Sequence, residues 1–160
     1  MDRLVGELVE HDLIIDKFIG DAIMSFRGGP LVTGDLSEHA YRVVRASLDA
    51  SRALAELGDP YFHSMKVGGA TAPDCLIGAF GTSTRLSYTI LGDGVNLAAR
   101  LEPASGQCGT ANLFCEATYK ACSGRSGLVW RRWGQIRVPG KAKPLHVYEA
   151  FDAGILDFCS

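Results

Sequence analysis

The chain has 160 residues, one domain's worth of sequence and cramped for two. Apolar residues make up 47% and charged residues 21%, and 16 basic against 18 acidic residues leave a net charge of −2. This excludes a whole-chain basic field for nucleic acid and a polybasic membrane patch, and the longest apolar runs fall far short of the roughly 18–20 residues of a membrane span. The start, Met1-Asp2-Arg3-Leu4, lacks the features of a signal peptide, so the expected location is the cytoplasm.

The chain opens on a short helical pattern in which Leu4, Val5 and Leu8 share a face, with no clear cap before it. Two β-prone runs follow, 13–19 and 22–26, around Gly20-Asp21, and this reads as a tight hairpin. A long helix is expected over about 38–57, capped by Ser37, with Ala40, Val43, Val44, Leu48 and Leu54 on one stripe. Gly58 and Asp59-Pro60 stop it.

Residues 65–70 and 75–80 look like paired strands joined around Pro73-Asp74, and 86–91 like another strand. Gly92-Asp93-Gly94 leads into a helix over about 95–101. A strand at 111–114, a helix at 116–121 and closing strands at 128–132 and 145–151 complete the pattern. Mixed helices and antiparallel hairpins define an α+β sandwich.

Five cysteines, Cys75, Cys108, Cys115, Cys122 and Cys159, include no Cys-x-x-Cys pair, and no histidine has ligand spacing to them. They read as reduced thiols rather than a zinc site. Two phosphate motifs also fall short. Gly92-Asp93-Gly94-Val95-Asn96-Leu97 lacks the third glycine of a dinucleotide fingerprint. The run from Gly134 to Lys141 is one residue too long for a P-loop and has Ala142 where a hydroxyl would hold magnesium.

Three blocks carry the chemistry: Asp16-Lys17-Phe18-Ile19-Gly20-Asp21-Ala22-Ile23-Met24, the stretch from Ser87 to Glu102 with Gly92-Asp93-Gly94-Val95-Asn96-Leu97-Ala98-Ala99-Arg100, and Val138-Pro139-Gly140-Lys141-Ala142-Lys143-Pro144. Their order and intervals resemble the catalytic domain of class III adenylate/guanylate cyclases, of the bacterial adenylate cyclase type, over about residues 4–151. The resemblance implies a ferredoxin-like nucleotidyl cyclase fold, a mixed, mainly antiparallel sheet with packed helices. Residues 152–160 are then a tail or the start of a further segment.

What the resemblance implies for function is conversion of ATP to 3′,5′-cyclic AMP and pyrophosphate in cyclic nucleotide signalling. Asp21 becomes a metal ligand for Mg2+ or Mn2+, two ions being expected in a complete domain; a hard carboxylate at a hairpin tip suits such an ion. The residues alone leave open that Gly20-Asp21 is only a good turn. Lys17 and Thr89 match the two purine-reading positions. An ammonium can donate to adenine N1 and a hydroxyl can accept from the adenine amino group, which points to ATP. An exposed strand lysine and a plain strand threonine are the alternatives.

Asn96 and Arg100, four apart on a helix face, match the pair that orients the ribose and stabilises charge on the α-phosphate; a surface Asn and a salt-bridged Arg are the alternative. Lys141 matches the lysine that holds the triphosphate, or is a solvated loop lysine, as Lys143 is expected to be. The resemblance also implies a homodimer with active sites at the interface, and regulatory domains outside this chain.

The pattern departs from the family in three places. Only 20 residues precede Asp21, so the first strand, with another metal aspartate, is expected to be missing and the domain incomplete at its N-terminus. That would expose a neighbouring strand edge and remove a ligand. The stretch 68–74 is longer than the usual turn, and Ala79 stands in place of an asparagine. A cyclase-like dimerisation or nucleotide-binding module without turnover is therefore the alternative function, and a dinucleotide-binding fragment a remote third.

Overall fold

In the computed structural model, residues 1–58 and 65–156 are described. Helix α1 spans Asp2–Glu10 and lies against the longer α2, Leu36–Glu56. The cap of α2 is Asp35, not Ser37: the Asp35 side chain accepts from the Glu38 backbone N–H at 2.8 Å. Ser37 is the second residue of the helix, within its first turn, and donates instead to the Ala121 carbonyl at 2.7 Å. Gly58, at φ +61°, follows the helix end; Asp59-Pro60 lies outside the described residues.

Strands β1, Ile14–Ile19, and β2, Ala22–Phe26, form the expected hairpin, with Gly20 at φ +62° making the turn. Its register slips between Ile15 and Lys17, leaving Asp16 as the extra residue of a bulge.

The expected pairing of 65–70 with 75–80 is overturned. The third strand, β3, is Val67–Gly69 and pairs in parallel with β6, Asn112–Cys115. The fourth, β4, is Leu76–Thr82 and pairs antiparallel with β5, Arg85–Leu91. The reason lies in Gly68. A Cβ there would stand 2.2 Å from the Glu102 amide nitrogen and 2.3 Å from the Ala98 carbonyl, so β3 is committed to the helix crossing over it. That helix, α3, runs Asp93–Gln107, longer at both ends than expected. Packing of Leu97, Leu101, Ala104 and Cys108 against the sheet carries it through Pro103, which removes a helical hydrogen bond.

Strands β3, β6, β8 (Leu145–Asp152) and β7 (Leu128–Ile136) form the central mixed sheet in that order, parallel only between β3 and β6. The bulge at Trp133 lets β7 continue to Ile136, four residues past its expected end.

Alternation along β6 divides the core. Phe114 points to one face with Ala40 and Val44 of α2 and Cys122, which ends α4 (Glu116–Ala121). Leu113 and Cys115 point to the other with Leu101 of α3 and Val147 of β8. Cys115 and Cys122 thus sit in different cores, and burial pushes the Cys122 thiol up to about 11. A short final helix, α5, is Ala153–Leu156; Cys159 lies outside the described residues.

Candidate functional site

Two groups of the expected site residues come together, each through a residue that the pattern did not single out. The first group sits where the two hairpins meet. Thr89 of β5 is buried, and its hydroxyl donates to Asp16 Oδ2 at 2.7 Å. Lys17 Nζ lies 3.6 Å from the same oxygen, with half of the lysine side chain exposed. The Asp16 side chain is 2% exposed. Opposite Thr89 in the β4–β5 ladder is Gly78, whose missing side chain leaves open space; a Cβ there would meet only the Phe80 ring, at 3.7 Å.

The second group lies along α3. Asp93, Asn96 and Arg100 follow at three and four residue steps, so they share one stripe. Helical spacing puts this stripe beside the row Leu97, Leu101 and Ala104, which packs on the core. The β7–β8 loop lies along the polar stripe. Lys141 Nζ donates to Asp93 Oδ2 near one end. At the other, the Arg100 guanidinium rests against Gly140, whose Cβ would stand 3.0 Å from Nη1; Gly140 is also at φ +80°, where a side chain is strained. Asn96 lies exposed between them. Arg100, Asn96 and Lys141 thus form one row of donors able to meet an anion along the helix.

Asp21 joins neither group. It is exposed at the β1–β2 tip and makes no side-chain hydrogen bond or ion pair among the described residues. Nor, among those residues, do three His, Cys, Asp or Glu side chains converge to hold a metal ion. A lone hard carboxylate fits an ion that takes its other ligands from phosphates and water, which is how magnesium binds when it arrives with a nucleotide.

The two glycines before α3 have a packing role. A Cβ on Gly94 would stand 2.3 Å from the Ala72 Cβ, and one on Gly92 2.9 Å from Cys75 Sγ. They let the helix start close to the β3–β4 connection, and no dinucleotide cradle is needed to account for them. A cleft of about 410 Å³ opens beside that start, between Pro73, Asp74, Asp93, Glu116 and His146. None of Lys17, Thr89, Asn96, Arg100 and Lys141 lines it.

Asp16 had a signal in the sequence: a carboxylate in the apolar run Ile14-Ile15-Asp16 needs a partner if it is buried. Asp93 and Gly140 had none beyond lying inside the matched blocks.

No protein-family model matches the chain. The chain is 32% identical over 142 residues, 86% of its length, to the terminal-differentiation-specific adenylate cyclase of Dictyostelium discoideum. It is 31% identical over 151 residues, 91% of its length, to adenylate cyclase 1 of Rhizobium meliloti. It spans only 6% and 22% of those two proteins. Among solved structures, the adenylyl cyclase CyaB from P. aeruginosa superposes with a TM-score of 0.84 at 30% identity, over 95% of this chain and 78% of that one.

The guanylate cyclase domain of RhGC from Catenaria anguillulae, in complex with GTP, has a TM-score of 0.73 at 22% identity, over 94% of this chain and 78% of that one, and shares the fold alone. The chain belongs to the catalytic-domain family of the class III adenylyl/guanylyl cyclases, a family of enzymes. Its fold is the α+β fold of that domain. No helix among the described residues is long and apolar enough to cross a membrane.

Proposed function

We propose that this domain is an adenylate cyclase, a phosphorus–oxygen lyase that converts ATP to 3′,5′-cyclic AMP and pyrophosphate. The observation that carries the choice of ATP is the meeting of Lys17 and Thr89 at one carboxylate oxygen. The ammonium donates to adenine N1, and the threonine oxygen accepts from the adenine amino group.

In the reaction the ribose 3′-oxygen attacks the α-phosphorus. The new O–P bond forms as the bond to the β-phosphate oxygen breaks, pyrophosphate leaves with the electron pair, and the hydroxyl proton is lost to solvent. Asn96 holds the ribose in line for that attack. Arg100 stabilises the negative charge that grows on the five-coordinate phosphorus. Lys141 holds the triphosphate tail. Its present partner Asp93 is largely exposed, and such pairs are worth only about 0–1 kcal/mol, so the lysine readily exchanges a carboxylate for a phosphate. Magnesium or manganese, held by Asp21 and the nucleotide's phosphates, would supply positive charge and lower the pKa of the hydroxyl.

The active unit is a homodimer with sites at the interface. Asp21 of one protomer works with Lys17, Thr89, Asn96, Arg100 and Lys141 of its partner. Supporting this is apolar surface left exposed on both hairpins: Phe18 and Ile19 on β1, and Leu76, Leu86 and Leu91 on β4 and β5. The activating signal would reach the domain from segments outside the chain.

Incubation at high concentration with ATP and manganese, of the chain beside a version with the expected first strand restored, should yield cyclic AMP and pyrophosphate in equal amounts from the restored version. Two folded dimers that bind ATP and release neither product would be nucleotide-binding modules instead.

A further inference from the structure

Asp16 has no role of its own in the reaction above, beyond being the carboxylate that Lys17 and Thr89 share, yet its placement is specific. The β-bulge between Ile15 and Lys17 takes it out of the ladder. Its side chain is 2% exposed, and a carboxylate is kept in such a place only when hydrogen-bonded. Both partners are purine-reading residues, 2.7 Å away for Thr89 Oγ1 and 3.6 Å for Lys17 Nζ.

A threonine hydroxyl by itself discriminates poorly. It has one proton to donate and lone pairs with which to accept. At the position where adenine presents an amino donor, guanine presents the O6 acceptor. A free hydroxyl turns its proton away from the first and toward the second. An ionised carboxylate only accepts, so Asp16 takes the proton of Thr89. The hydroxyl then offers a purine edge lone pairs alone. They match the adenine amino group and oppose guanine O6.

We propose that Asp16 is the positioning residue for nucleotide specificity: it fixes Thr89 as an acceptor, holds Lys17 beside it, and thereby admits ATP and rejects GTP. This rests on the reading that Lys17 and Thr89 meet the purine. It adds that the discrimination resides in a third side chain which need not touch the nucleotide.

The test is equilibrium binding of ATP and GTP analogues with a methylene in place of the α,β-bridging oxygen, which cannot be cyclised, to the full chain. The wild type binds the ATP analogue more tightly. Asp16→Leu frees the Thr89 proton and lowers the ATP-to-GTP affinity ratio by about tenfold, chiefly by improving GTP binding. Adding Thr89→Val to Asp16→Leu removes the hydroxyl, so the gain for GTP disappears. That double variant places two apolar groups together and guards against misfolding. Asp16→Asn keeps the shape, and its amide serves Thr89 as donor or acceptor, so the ratio falls in the same direction but less.

An unchanged ratio in both single variants overturns the proposal. So does a gain for GTP that persists without the hydroxyl, because Asp16 would then not act through Thr89. A wild type with no preference overturns both the proposal and the choice of ATP. A wild type that prefers the ATP analogue and responds as expected, yet makes no cyclic AMP, leaves the proposal standing and removes the adenylate cyclase activity.

Discussion

The Arg100 guanidinium lies close over Gly140, where a side chain would crowd it. A charged donor beside the growing negative charge acts mainly at the transition state. Arg100→Ala is expected to lower cyclic AMP turnover on the order of 100-fold or more, with melting temperature and circular dichroism unchanged. Unchanged turnover would remove Arg100 from the mechanism. Lys17→Glu replaces a donor with an acceptor where adenine N1 needs a donor, so turnover of ATP should fall relative to GTP; a retained preference for ATP would sink the purine-reading role. At this scale the sequence was informative wherever a residue lay inside a matched block. Asp16 is such a residue, but its partner Thr89 is 73 positions away, and no local pattern announces that contact.

The elements divide by the range of their contacts. The β1–β2 hairpin and α2 were readable because a turn, a stripe of apolar residues and a stop are local signals. Pairing of β3 was not. The Pro73-Asp74 turn suggested a neighbour in sequence, whereas β3 finds β6, more than forty residues on, with α3 as the crossover between them. Gly68 carried the decisive information, yet a glycine in a strand does not say which backbone approaches it. Gly68→Ala tests this directly. The added methyl meets the backbone of α3 at Ala98 and Glu102, and the domain should lose about 2–3 kcal/mol in urea unfolding. Stability within a few tenths of wild type would mean that β3 and α3 separate easily. The cap of α2 was misplaced by two residues because Asp35 and Ser37 are both good cap residues; Asp35→Ala should cost about 1 kcal/mol, and Ser37→Ala should act through the lost bond to Ala121.

Across the whole molecule, charge ties α2 to the last strand. Asp152 accepts from Arg45 at 3.2 Å and from Arg52, and the same arginines reach Asp49, which also meets His11. The Gly154 amide, ahead of Arg45 and Arg52, holds the Asp152 carboxyl below the usual range, while burial opposes it. A carboxylate whose pKa is depressed by folding stabilises at pH values above its unfolded value, near 4, and that contribution is lost as the pH falls through the folded value. Asp152→Asn should therefore lower the melting temperature at neutral pH and flatten its decline below about pH 4. The same drop at every pH would show that the charge is not what matters. The exposed apolar hairpins are the surface offered for the proposed dimer. With sites shared between protomers as proposed, Asp21→Ala and Arg100→Ala are each expected to be inactive for a different reason. Half of the dimers in an equimolar, fully exchanged mixture combine one of each, and in these one of the two sites is intact. Cyclic AMP formation from ATP by that mixture, measured beside the separate variants and the wild type, is predicted to recover to about a quarter of the wild-type rate. A mixture as silent as its components, beside an active wild type, would contradict the shared site; a wild type that is folded, dimeric and silent even with the expected first strand restored would contradict the cyclase activity itself.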